Sequence, residues 1–127
     1  MHKNNLFEYA VIRVVPRVER EEFMNVGVIL FCKQLQSIDI KIELNTDKLL
    51  VLDSKADVNQ IKENLRAFEM IAKGDKDSGP IGEYGPAERF RWLTATRSTI
   101  VQCSKIHPGF CDEPKQALHK IFEEMVL

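Results

Sequence analysis

Three strand-like runs fill the first 44 residues, and they constrain the fold more than any other feature of the chain. Residues 6–15, Leu-Phe-Glu-Tyr-Ala-Val-Ile-Arg-Val-Val, are rich in aromatic and β-branched types and read as a central strand. Alternation places Phe7, Tyr9, Val11, Arg13 and Val15 on one face, so Arg13 shares its side with four apolar neighbours and needs a partner. Pro16 removes a backbone donor and ends the ladder. The charged stretch 17–25 reads as a loop or short helical turn that returns the chain antiparallel into a second strand at 26–32. There Gly27 marks a bulge or a close backbone approach. After a tight connection at 34–36, residues 37–44 alternate strictly, with Ile38, Ile40, Ile42 and Leu44 inward and Ser37, Asp39, Lys41 and Glu43 outward. This is the pattern of an edge or solvated strand.

Helical periodicity takes over downstream. Val58, Ile61, Leu65, Phe68 and Ala72 form one stripe over 57–72, with Asp57 as N-cap and Gly74 just past the end. Residues 74–86 hold four of the six glycines plus Pro80 and Pro86, which predicts a mobile loop. Pro86 suits the first turn of a short helix through Phe90 and Leu93, and Thr99, Ile100 and Val101 suggest a fourth strand. Pro108 and Gly109 are expected to break the chain. Asp112 and Pro114 then open a last helix carrying Ala117, Leu118, Ile121, Phe122 and Met125. With 127 residues, 44% hydrophobic and 29% charged, one core is expected. The prediction is a single α+β domain over 1–127: a mainly antiparallel sheet of about four strands with two to three helices packed on it.

The net charge of −1 provides no overall steering toward a polyanion, which argues against nucleic acid as a partner. The start, Met1-His2-Lys3-Asn4-Asn5, leads into an alternating run containing Glu8 and Arg13, unlike a signal peptide, and no stretch has the apolar length of a membrane span. Cys32, Cys103 and Cys111 are an odd number with no tight pairing, which fits a reducing compartment. The expected location is cytoplasmic.

Six of the seven arginines fall in two segments, Arg13, Arg17 and Arg20 in one and Arg89, Arg91 and Arg97 in the other, while the eleven lysines are scattered. Guanidinium is a planar fork suited to carboxylate and phosphate. If the segments meet, Arg13, Arg17, Asn25, Arg89, Arg97 and Ser98 form an anion-binding surface on loops and strand ends. The bland alternative is that Arg13, Arg89 and Arg97 pair with Glu8, Glu22 or Glu88 and only fix the fold. His107 is a candidate acid/base and Glu22 a candidate second proton-transfer group. Cys103-x3-His107-x3-Cys111 with His119 has residue types zinc accepts, but it lacks the close cysteine pair of structural sites, so no metal and no cofactor is assigned. Gly79-x-x-Gly82-x-x-Gly85 lacks the lysine and the strand-to-helix setting of phosphate loops and reads as a hinge or lid. Phe90 and Trp92 interleave with Arg89 and Arg91, as in single-strand stacking platforms, yet Phe90 and Leu93 at helical spacing face the core and leave only Trp92.

Two stretches carry a family resemblance: Phe7-Glu-Tyr-Ala-Val-Ile-Arg-Val-Val-Pro16 with Glu19-Arg20-Glu21-Glu22-Phe23-Met24-Asn25-Val26-Gly27-Val28, and Glu88-Arg89-Phe90-Arg91-Trp92-Leu93 with Thr96-Arg97-Ser98-Thr99 and His107-Pro-Gly. Together they resemble the bacterial domain-of-unknown-function family 3037 over most of the chain. The residues that match its pattern are Arg13, Glu22, Asn25, Gly27, Arg89, Trp92, Arg97, Ser98 and His107. The family has no established activity. It looks like one often encoded beside HipA-like serine/threonine kinases, and the resemblance therefore implies an accessory role with such a protein partner. The functional expectation is a binding module with an arginine-lined surface for a protein partner or a phosphorylated ligand. The alternative is a small enzyme acting on a phosphate-containing or nucleic-acid substrate through His107. A third possibility is a homodimer formed through the strand at 37–44.

Overall fold

The computed structural model describes residues 5–127. Its elements are β1 (Asn5–Val14), β2 (Met24–Cys32), β3 (Ser37–Ile42), α1 (Thr46–Leu52), α2 (Val58–Ala72), α3 (Pro86–Thr94), β4 (Val101–Cys103), β5 (His107–Cys111) and α4 (Pro114–Met125). The fold is α+β, as expected, with five strands and four helices among the described residues in place of about four and two to three.

β1 organises the sheet. β2 pairs antiparallel along one side of it and β3 extends that side, while β4 and β5 share the other side in tandem, β4 against Ile12–Val14 and β5 against Asn5–Tyr9. Between β4 and β5 the ladder is completed by a side chain: Ser104 N–H donates to Val11 O at 2.8 Å, and Val11 N–H donates to Ser104 Oγ at 2.8 Å. Ser104 is thus the buried polar residue that lets one chain segment follow β1 past a break in strand geometry.

Alternation along β1 splits the interior in two. Ala10, Ile12 and Val14 join Ile29, Phe31, Ile61, Leu65 and Phe90 beneath α1, α2 and α3. On the other face Phe7, Val28, Leu30 and Cys111 pack under Leu118 and Phe122 of α4. Phe90 is fully buried and stacks on Phe31, ring centroids 5.4 Å apart, which anchors α3 to the sheet.

Ile12 faces Gly27 but Arg13 faces Asn25, so Val26 is the extra residue of a bulge. The bulge keeps Met24 and Val26 in the core and moves Asn25 to Arg13's face. A Cβ on Gly27 would lie 2.6 Å from Lys41 O, so this position also meets the close backbone approach expected of it.

Two elements went unpredicted. α1 buries only Leu49 fully and leaves Val51 87% exposed, so it carries no helical stripe; Asn45 caps it by accepting from Lys48 N–H at 3.0 Å. β5 runs through Pro108 and Gly109, where a break was expected. It has a strand on one side only, which tolerates proline, and Gly109 lies under the Phe7 ring, 2.5 Å from the place a Cβ would occupy. The glycine-rich stretch contains two 3-10 turns, Lys76–Ser78 and Pro80–Glu83. Among the described residues no helix is long and apolar enough to cross a membrane.

Replacing Ser104 with alanine leaves the Val11 amide buried without an acceptor. Urea denaturation is expected to show a loss of about 1–3 kcal/mol.

Candidate functional site

The site grows from one row of the sheet. Arg13 on β1 has Asn25 of β2 on one side and Gln102 of β4 on the other, all on the α4 face but beside that helix's C-terminal end, where Asn25 Nδ2 donates to Met125 O at 2.9 Å. With no helix over it, the row opens into a cavity of about 370 Å³ lined by Arg13, Val15, Glu19, Glu21, Ser98 and Gln102, with Val18 and Phe23. The 3-10 turn Val18–Arg20 supplies one wall, and Glu21 closes it in the left-handed conformation at φ 56°.

Arg13 is held by stacking. Its guanidinium carbon lies 4.1 Å from the centre of the Phe23 ring, which is itself 46% exposed. Arg13 has no hydrogen bond or ion pair among the described residues, and its Nε is buried without an acceptor. Beside it, Asn25 Oδ1 is also buried without a partner, while the Gln102 amide donates to Thr99 O at 2.7 Å.

The other arginines of the two clusters are engaged. Arg17 binds Glu19 through Nη2 at 3.1 Å and Nε at 3.3 Å, and Arg20 binds Glu22 at 2.9 Å. The backbone N–H of Glu19, then the Arg17 guanidinium, hold the Glu19 carboxyl below its usual range. Arg91 reaches Glu8 on β1 at 2.9 Å. Arg89 donates to Tyr84 O at 2.7 Å and to Ala72 O at 3.4 Å, placing its charge at the C-terminal end of α2, where carbonyls favour a cation. Arg97 stacks 4.3 Å over Trp92 and donates to Trp92 O.

Of the six residues expected to bind an anion, the structure brings Arg13 and Ser98 into the cavity and puts Asn25 next to Arg13. Arg17 touches the site only through Glu19. Arg97 lines a separate apolar cavity of about 290 Å³ with Phe68, Ile71 and Trp92, and Arg89 lines neither. Phe23 and Glu21 were not expected there. Phe23 was within reach of sequence reasoning, because it shares the parity of Asn25, two residues away.

His107 and Glu22 are not brought together. His107 is exposed opposite Tyr9, ring centroids 5.3 Å apart, four residues along β1 from Arg13, or about 13 Å at the usual strand rise. Glu22 lines a different cleft with Arg20, Lys48 and Val51. Cys103 packs against the core below α2 and α3, whereas Cys111 packs below α4, so the two thiols lie on opposite faces of the sheet. Among the described residues no three His, Cys, Asp or Glu side chains converge as metal ligands.

Cys103 follows Gln102, which lines the Arg13 cavity, and Val101, which lines the apolar one. Burial pushes its thiol up to about 12, partly opposed by the positive charges of Arg97 and Arg13, and its Sγ–H points at Leu93 O at 3.6 Å. The chain belongs to the family described as Protein of unknown function (DUF3037), whose model matches residues 9–126. No curated relative and no solved structure matches it.

At about pH 8, where an ordinary thiol near 8.5 is partly ionised, iodoacetamide is expected to leave Cys103 of the folded protein unmodified. Peptide mass spectrometry should find it alkylated only after denaturation.

Proposed function

We propose that this chain is a bacterial cytoplasmic binding module that captures a carboxylate or phosphate group of a protein partner in the cavity around Arg13. The observation that carries this reading is the state of Arg13: alone in its cluster it has neither carboxylate nor carbonyl partner, yet Phe23 holds its fork in a fixed plane beside an opening. Rigid placement reduces the ordering cost of binding, and a guanidinium with free donors takes an anion through charge-assisted hydrogen bonds. Ser98 adds a hydroxyl to the cavity lining. Glu19 and Glu21, which also line it, set the class of ligand. Glu19 is neutralised by Arg17, but Glu21 has no ion pair among the described residues and disfavours a bare polyanion. A protein segment that presents an acidic or phosphorylated residue to Arg13 and a basic or polar one to Glu21 satisfies both signs.

The test uses simple anions as probes. Titrating the isotopically labelled protein with succinate or inorganic phosphate is expected to move the Arg13 side-chain resonance and the amides of Ser98 and Gln102. Arg13→Gln removes a charge-assisted contact of about 1.5–3 kcal/mol, a loss of about tenfold or more in affinity. Arg13→Lys restores only part, because the fork is lost. Saturable binding that survives Arg13→Gln, or no response at these resonances, overturns the proposal.

A further inference from the structure

The far edge of the sheet carries a second surface. Among the described residues β3 pairs with β2 only, so one side of its backbone is open. Which groups face out follows from the ladder. Glu43 N–H donates to Val26 O at 2.7 Å, and hydrogen-bonded and non-bonded pairs alternate along an antiparallel register, so Lys41 and Asp39 bond inward to β2. The N–H and C=O groups of Ile38, Ile40 and Ile42 therefore point away from the sheet. The side chains of the same three residues are half-buried against the core under α2, while Asp39 and Lys41 project to the α4 face.

We propose that β3 pairs antiparallel with β3 of a second copy of this chain, on a two-fold axis through Ile40. This register follows from the strand's own chemistry. Centred on Ile40, it sets Asp39 directly opposite Lys41 of the second copy, and Lys41 opposite its Asp39. Ile38 faces Ile42 of the second copy, so the apolar face continues unbroken across the seam. The Ile40 pair and the symmetric Ile38–Ile42 pairs are the ones whose outward groups exchange both hydrogen bonds, which is what a two-fold through Ile40 demands.

Both charges are available. Asp39 has no ion pair among the described residues. Lys41 has only a ring contact, its Nζ 4.6 Å from the Phe122 centroid, and a 3.5 Å approach to His119 Nδ1. Lysine on an open edge ordinarily deters strand addition. Here an aspartate two residues earlier converts that deterrent into a choice of register: a shift by two residues along the strand breaks the paired charges, and a shift by one turns the isoleucines to the wrong face. The cavity of about 420 Å³ along this edge is lined by Asp39 and Lys41 together with Lys73, Lys115 and His119. Lys73 is held by Glu69 at 2.9 Å, so Lys115 is the further cation available to the incoming aspartate.

Sedimentation at NMR concentrations is expected to give twice the 14.6 kDa of one chain. Asp39→Lys places like charges opposite each other and should weaken the dimer at least tenfold, and the Asp39→Lys/Lys41→Asp double variant should recover it. Ile40→Pro deletes a donor that points outward and leaves the β2 ladder intact, so it should give a monomer with an unchanged circular dichroism spectrum. Asp39→Lys tests the same surface if the proline variant does not fold. A monomeric wild type overturns the proposal. So does a dimer that is indifferent to Asp39→Lys, or one that the charge swap fails to restore, since the contact would then lie elsewhere or in another register.

Discussion

The backbone of β1 is hydrogen-bonded along both sides, and the rest of the sheet is built outward from that strand. On one side β2 fixes which residues of Phe7–Val14 face each helical layer. On the other, β4 and β5 divide the strand between them, and the Ser104 hydroxyl bridges the gap. A strand paired on both sides and buried on both faces has no tolerance for an unmatched polar group. Arg13 is accommodated because it lies where α4 ends and the α4 face of β1 opens. The cavity is thus the result of a helix shorter than the strand it covers.

Much of the fold was legible because its signals are periodic. The alternation in β1 and β3, the stripe and Asp57 cap of α2, and the stripe of α4 each report a local geometry that the sequence repeats several times over. α1 and β5 were not legible for the complementary reason. α1 rests on the single fully buried Leu49, and β5 keeps a proline and a glycine because of what lies across from them, an open edge and the Phe7 ring. Nothing local in Pro108-Gly109 records the presence of Phe7.

The site was legible in part. The clustering of arginines was plain in the sequence, but the partners were not: Arg91 pairs with Glu8, and Arg89 caps a helix that ended many residues earlier. Ion pairs formed across such separations depend on tertiary approach, so residue type alone does not distinguish a committed guanidinium from a free one. The parity of β1 singled out Arg13 as the arginine among apolar neighbours, and that local property was the one that carried through to the cavity. The order of strands adds a geometric point. The cavity lies on the β1–β4 side of the sheet and β3 forms the opposite edge, so joining two chains at β3 sets their cavities at opposite ends of one sheet, an arrangement that favours a partner with repeated docking segments.

Ser98 lies just before the shortest strand, β4, and Gln102 at its centre, where the strand pairs with β1. On either side of β4 the chain stays tied to β1 by backbone bonds, Val15 N–H to Ile100 O at 2.7 Å and Ser104 N–H to Val11 O at 2.8 Å, and the Ser104 hydroxyl takes the Val11 N–H. These ties hold Gln102 beside Arg13, so the cavity wall on this side is part of the sheet. An occupant of the cavity therefore meets a wall already set in place, and little ordering of the strand is added to the cost of binding.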